Sequence, residues 1–242
     1  PEVTEKKKTH PIKTIKILCS NKYFILITLA FAIIYTSLGL TGGSRIYYAK
    51  YVLGNEMINS TMTLFNYIPT ILTIMLIPIF AKKFGKIKAL FVGFLFYGAG
   101  LILEIAGPVN LPMIYGGLVL QGIGHAALYS CLFAIVGDVV DYSEWKDGIR
   151  EEGLTYSVTS FGQKIGTGLG TAALGWILAA GHYDGTAAVQ SASAIFAIKG
   201  LFLYLPLVIT VIVLIIWYLF MGIDKIYPTV RKELDERREK AE

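Results

Sequence analysis

The sequence predicts an all-α membrane protein of six transmembrane helices. Three observations carry this. The 242 residues are 55% hydrophobic and only 16% charged, where a soluble domain has about 25% charged residues, and the mean hydropathy is +0.60. Six apolar stretches are long enough to cross a bilayer, which takes about 20 residues of helix. The lysines and arginines fall almost entirely in alternate connections. Composition excludes a disordered polymer and a disulfide-stapled secreted module. The net charge of +5 does not indicate nucleic acid, because the charges lie between apolar runs and form no basic face on a soluble fold.

The six stretches are Phe24–Thr41, Met62–Ala81, Ala89–Ala106, Leu111–Gly137, Leu154–Ala180 and Leu201–Met221. The first follows a basic flank whose opening, PEVTEKKKTHPIK, reads as an interior linker with no cleavable signal pattern. The basic run AKKFGKIKAL joins the second to the third. The uncharged turn Gly107–Asn110 joins the third to the fourth, and the polar loop His182–Ser193 joins the fifth to the sixth. The fourth and fifth stretches are long and contain polar residues, as expected of helices that line something. The tail from Asp224 is charged and amphipathic, hence a surface helix. Eighteen cations fall on one side and three, Arg45, Lys50 and Lys199, on the other. The positive-inside rule therefore places both ends in the cytoplasm. The division is 1–22 as a cytoplasmic segment, 23–222 as the helical domain and 223–242 as a cytoplasmic tail. Cys19 in a basic flank and Cys131 in an apolar run are not placed to pair.

Ionisable residues inside a span are costly and usually face a bundle interior or a water-filled cavity. Lys164 lies ten residues beyond Leu154, about 15 Å into the membrane. Ser160, Gln163, Lys164, Thr167 and Thr171 recur at helical steps and form one polar stripe. Gly162, Gly166, Gly168 and Gly170 on the other faces permit close packing. The competing reading is a lysine that snorkels or pairs with a carboxylate. In the fourth span Gln121, His125 and Tyr129 are spaced by four, and an aromatic ring beside amides suits a sugar. They equally suit interhelical hydrogen bonds, and both readings stand at this point. Glu104 reads as structural or interfacial. Asp138, Asp141 and Glu144, with Arg150, Glu151 and Glu152 beyond, form either a conformational interlock or a solvated loop. An intramembrane enzyme is disfavoured, because Ser130 and His125 share one helix and H-E-x-x-H is absent.

The run DVVDYSEWKDGIREEGLTYSVTSFGQKIGTGLG resembles the glycoside–pentoside–hexuronide:cation symporters of the major facilitator superfamily. The residues that carry the resemblance are Asp138, Asp141, Tyr142, Glu144, Trp145, Lys146, Gly148, Arg150, Glu152, Gly153, Tyr156, Ser157 and Lys164. The resemblance covers the whole chain and only the C-terminal half of such a transporter. It implies helices 7–12 of that fold, preceded by the end of the central loop. It also implies secondary sugar transport by alternating access. Lys164, Thr159, Ser160 and Tyr129 would lie at the sugar site, with Gln163, Gln121 and His125 on the same polar faces. Asp138, Asp141 and Arg150 would belong to a cytoplasmic gate, with Lys82 or Lys83 joining them. Thr159, Ser160 and Tyr129 differ in type from the family's usual residues, so no sugar specificity carries over. The coupling cation, sodium or proton, is expected mainly on an N-terminal six-helix half, which is the expected partner along with a sugar or glycoside and the lipid bilayer. The alternative is a non-transporting six-helix sensor or assembly module, against which the polar midplane stripe argues.

Overall fold

The structure is a computed structural model and describes residues 18, 20–148 and 150–240. The linker-like start, its five lysines and Cys19 lie outside the described residues. The described residues form helices and the connections between them, with no strand among them. In chain order the helices are α1 Lys22–Tyr51, α2 Ile58–Ile74, α3 Ile77–Phe84, α4 Lys86–Ala106, α5 Leu111–Asp147 and α6 Glu152–Ala180. Then follow α7 Ala192–Lys199, a π-turn at Gly200–Tyr204, α8 Leu205–Phe220 and α9 Gly222–Glu239.

Local chemistry sets the boundaries. The Asn21 side chain accepts from the Tyr23 N–H and opens α1, and Asn110 does the same for α5 through Met113. Gly148, at φ 66°, closes α5 in the left-handed conformation. The second predicted span is broken into α2 and α3, bent by 53°. Pro78, in the first turn of α3, has no N–H for the carbonyl four residues back, that of Ile74, where α2 stops. Two predicted spans prove longer than their apolar runs. Helix α1 continues past Thr41 to Tyr51, and α5 past Gly137 to Asp147, so Asp138, Asp141 and Glu144 stand on a helix.

Four helical stretches are long and apolar enough to cross a membrane, with mean hydropathy from 1.7 to 2.6, and five if the bent pair counts as one. Helix α6 is not among them; its threonines, glycines, Gln163 and Lys164 lower its apolarity. Successive helices run back and forth between two ends. At one, Asn21 Nδ2 donates to Ser143 and the rings of Tyr23 and Tyr142 meet edge to face at 4.9 Å. At the other, Tyr48 Oη donates to the Pro108 carbonyl and Tyr51 meets Tyr183 at 3.0 Å. Two apolar clusters form the core. One is built around Phe31, Leu90, Ile135 and Trp217, the other around Tyr48, Met62, Leu118 and Phe202. Cys131 is a buried free thiol in the first.

The helices approach closely through small residues, as membrane helices do. A Cβ on Gly166 or Gly170 would overlap the carbonyls of Ala32 and Thr36, so α6 rests directly on the α1 backbone. Gly93 faces Gly124, and Gly100 faces Gly117, between α4 and α5. Gly168 departs from the expected packing role, since nothing lies within 4 Å of its would-be Cβ.

Gly170→Val should destabilise the fold by about 1–3 kcal/mol through overpacking. Gly175→Ala, at an open position, should change stability by no more than about 0.5 kcal/mol. Thermal unfolding of the two variants in detergent checks the pair.

Candidate functional site

The polar stripe of α6 faces an open groove. Gln163, Lys164, Thr167, Gly168, Thr171 and Ala172 line it, with a volume of about 680 Å³. The hydroxyls of Thr167 and Thr171 donate to the carbonyls one turn back, those of Gln163 and Thr167, each at 3.0 Å. Their oxygen lone pairs remain available to a ligand donor. Lys164 is exposed in this groove, and among the described residues no carboxylate lies within ion-pair distance of it. The carboxylate-paired reading of this lysine therefore finds no partner here. Ser160 is half-buried one turn before the groove. Thr159 is not brought to it: the residue is fully buried, and its hydroxyl donates to the carbonyls of Thr155 and Tyr156.

On α5 the Gln121–His125–Tyr129 face divides by depth. Tyr129 is 46% exposed on the open side. His125 is half-buried, its ring 5.8 Å from that of Tyr129 and its Nδ1 3.3 Å from Asn66 Oδ1. Gln121 is buried, and its amide donates to Glu104 Oε1 at 2.7 Å. Gln121 thus serves a helix contact between α4 and α5 and does not reach the groove. The face is both things that its spacing allowed, with the aromatic end outward and the amide end inward.

The charged residues between α5 and α6 form a network, but with different partners from those expected. Arg150 Nη1 donates to Asp141 Oδ1 at 3.0 Å and to Glu144 Oε2 at 2.5 Å, while Nη2 meets Glu152. Burial pulls the Arg150 guanidinium down, yet the carboxylates of Glu144, Glu152 and Asp141 together outweigh it and hold the group above its ordinary range. Asp138 is not part of this knot. It is 4% exposed and accepts from Lys86 Nζ at 2.6 Å. The lysine that joins the network is therefore Lys86, in place of Lys82 or Lys83. Lys86 opens α4 and so comes up beside the end of α5, whereas Lys82 and Lys83 are exposed on α3.

Helix α9 completes the network, and the sequence reading left it out. Tyr227 Oη donates to Asp141 Oδ2 at 2.9 Å, Arg238 Nη2 to Glu144 Oε2 at 3.1 Å, and Trp145 Nε1 to Glu233 Oε2 at 2.7 Å. Asp224 accepts from the backbone N–H groups of Ile87 and Lys88 and so caps α4. The charged tail, mixed in sign and ending an apolar run, was the available signal. Between these elements lies a polar pocket of about 320 Å³, lined by Lys86, Asp138, Asp141, Arg150, Tyr156 and Tyr227 among others.

Among the described residues the chain thus combines membrane-length apolar helices, a lysine-bearing polar groove and a charge network at one end. The chain belongs to the MFS/sugar transport protein family, whose profile matches residues 1–225. It is 30% identical, over 98% of its length, to the isoprimeverose transporter of Lactiplantibacillus pentosus, and covers 49% of that protein. It is 25% identical, over 93% of its length, to the glucuronide carrier protein homolog of Escherichia coli (strain K12), of which it covers 50%. The chain thus spans about half the length of these curated relatives. The first is named as a transporter and the second as a carrier homolog.

An exposed ion pair contributes about 1 kcal/mol or less on its own, but Arg150 gathers three carboxylates. Arg150→Ala should therefore loosen the α5–α6 connection and α9 together. The expected signature is faster amide exchange at residues 141–152 and 227–238, with α1 and α4 unchanged.

Proposed function

We propose that this chain is the C-terminal six-helix half, helices 7–12, of a secondary sugar transporter that couples sugar to a cation by alternating access. The observation that carries the reading is the α6 groove, where Lys164, Gln163, Thr167 and Thr171 share one open face and the ammonium has no carboxylate partner among the described residues. In this reading α2 and α3 form a single bent crossing, α6 crosses despite its polarity, and α7, the π-turn and α8 form the last crossing. The groove faces a second six-helix half across a water-filled cavity, which is where carriers of this architecture hold substrate. There the lysine stays hydrated and its polar neighbours hydrogen-bond sugar hydroxyls, while Tyr129 offers a ring face to the sugar's apolar side.

The cation-rich connections lie on the cytoplasmic side of the cell membrane, as the positive-inside rule requires. The Arg150 knot and the Lys86–Asp138 pair then work at the cytoplasmic end, closing it in one state and parting in the other. The coupling cation, sodium or proton, binds mainly on the N-terminal half. The substrate is a sugar or glycoside; isoprimeverose, named for the Lactiplantibacillus relative, is the first to test.

Lys164→Ala in the complete transporter should abolish isoprimeverose uptake into vesicles, with membrane insertion and thermal stability unchanged. Wild-type uptake by that variant would overturn the assignment of Lys164 to the sugar site.

A further inference from the structure

A partly buried polar seam crosses α1, α2, α4 and α5. Arg45 Nη1 donates to Thr63 at 3.1 Å, Asn66 meets His125, and Gln121 donates to Glu104. Glu104 is fully buried, and its second oxygen, Oε2, has no partner among the described residues. Arg45 Nε is likewise buried and without a partner. These are two of only three such side-chain atoms among the described residues, and they belong to an acid and a base. No ion pair joins the two groups among the described residues. The other titratable groups around Glu104 are Tyr97 on its own helix and Tyr48 on α1, with Tyr204 of the π-turn beyond Tyr48. His125 lies one turn along α5 from Gln121 and feels Arg45 as well.

We propose that Glu104 carries an exchangeable proton, and that releasing it closes an ion pair between Glu104 and Arg45, which makes this seam a proton site within this half of the transporter. An ionised carboxylate inside a bilayer costs several kcal/mol unless it is paired. Here one amide N–H reaches Oε1 and nothing reaches Oε2, so the arrangement suits the neutral acid. When the proton leaves Oε2 for water, the carboxylate gains a charge and the guanidinium, a permanent cation, becomes its nearest counter-ion. Arg45 then exchanges its contact with Thr63 for Glu104, and both unpartnered atoms find partners. No other bond is made or broken, and the proton is the only species gained or lost. Because Arg45 stands on α1, Thr63 on α2 and Glu104 on α4, protonation is tied to how these helices sit against one another, which is what coupling to alternating access requires.

The role of this proton in transport rests on the proposed function, but its existence does not, and two measurements separate them. The first is infrared spectroscopy of the complete protein in proteoliposomes, without sugar. A protonated-carboxyl band at neutral pH is expected to be missing in Glu104→Gln and to disappear on alkaline titration in the unsubstituted protein. In Arg45→Gln the band should persist through the same titration. The second is transport of labelled isoprimeverose. Glu104→Gln mimics the protonated acid, so it should retain exchange of external for internal sugar while losing about tenfold or more of its proton-driven accumulation. Absence of the band at neutral pH, a band that no pH removes, or an unchanged titration in Arg45→Gln would each overturn the switch. Accumulation by Glu104→Gln at the unsubstituted level would reduce Glu104 to a structural acid. Failure of the unsubstituted protein to move any sugar would refute the proposed function and leave the infrared result standing.

Discussion

The rest of the site depends on the contact between α6 and the backbone of α1. Gly166 and Gly170, four residues apart, let the α6 backbone settle on the carbonyls of Ala32 and Thr36, and dispersion at that distance is the main attraction left between helices in lipid. The contact fixes the rotation of α6. With the glycine face turned inward, the next face round the helix, carrying Gln163, Lys164, Thr167 and Thr171, must look outward. A larger residue at either glycine would do more than lower stability, since it would shift the axis of α6 and re-aim the lysine. The packing of α6 and the direction of its polar stripe are therefore set by the same residues.

The two ends of the bundle are held differently. One end uses charges: Lys86, Asp138, Asp141, Glu144, Arg150 and Arg238 join four elements. The half-exposed pairs of Arg150 and Arg238 are individually weak and order the end only together, whereas the carboxylate of Asp138 is buried and depends on Lys86. The other end uses aromatic hydroxyls, Tyr48 on Pro108 and Tyr51 on Tyr183. Helix α9 folds the charged end shut by capping α4 with Asp224, and Gly85, at φ 103°, leaves no room for a side chain beside that carboxylate. The tail is thus part of the end it appeared merely to follow.

Much of this was legible in the sequence because a bilayer enforces it. Apolar runs of spanning length have few other uses. The α6 stripe was legible because residues three and four apart must share a helix face. What was not legible depended on rotation and depth. Gln121 and Tyr129 share a stripe, yet eight residues along a tilted, packed helix one is buried against Glu104 and the other opens outward. Thr159 adjoins Ser160 in sequence but lies about 100° round the helix, where its hydroxyl turns back to its own backbone. Lys86 could not be told from Lys82 and Lys83 because the choice lies in where α3 stops and α4 begins. The break at Pro78 was equally hidden, because the apolar run continues through it.

The exposed surface of the chain has two different characters, and this bears on what covers each. Leu64, Ile68, Ile71, Leu72, Met75 and Ile79 are all at least half exposed along α2 and α3, a continuous apolar strip of the kind that lipid solvates. The face of α6 mixes Phe161, Ile165 and Leu169 with Lys164, Thr167 and Thr171. An ammonium directed into lipid near mid-helix is unfavourable by about 2.5–3.5 kcal/mol on insertion scales, and the threonines would gain nothing there. The same groups facing water, as in the proposed transporter, would lose no hydration. In the proposed transporter, lipid on the α2–α3 face and a partner half on the α6 face would give each of these two surfaces surroundings that suit it.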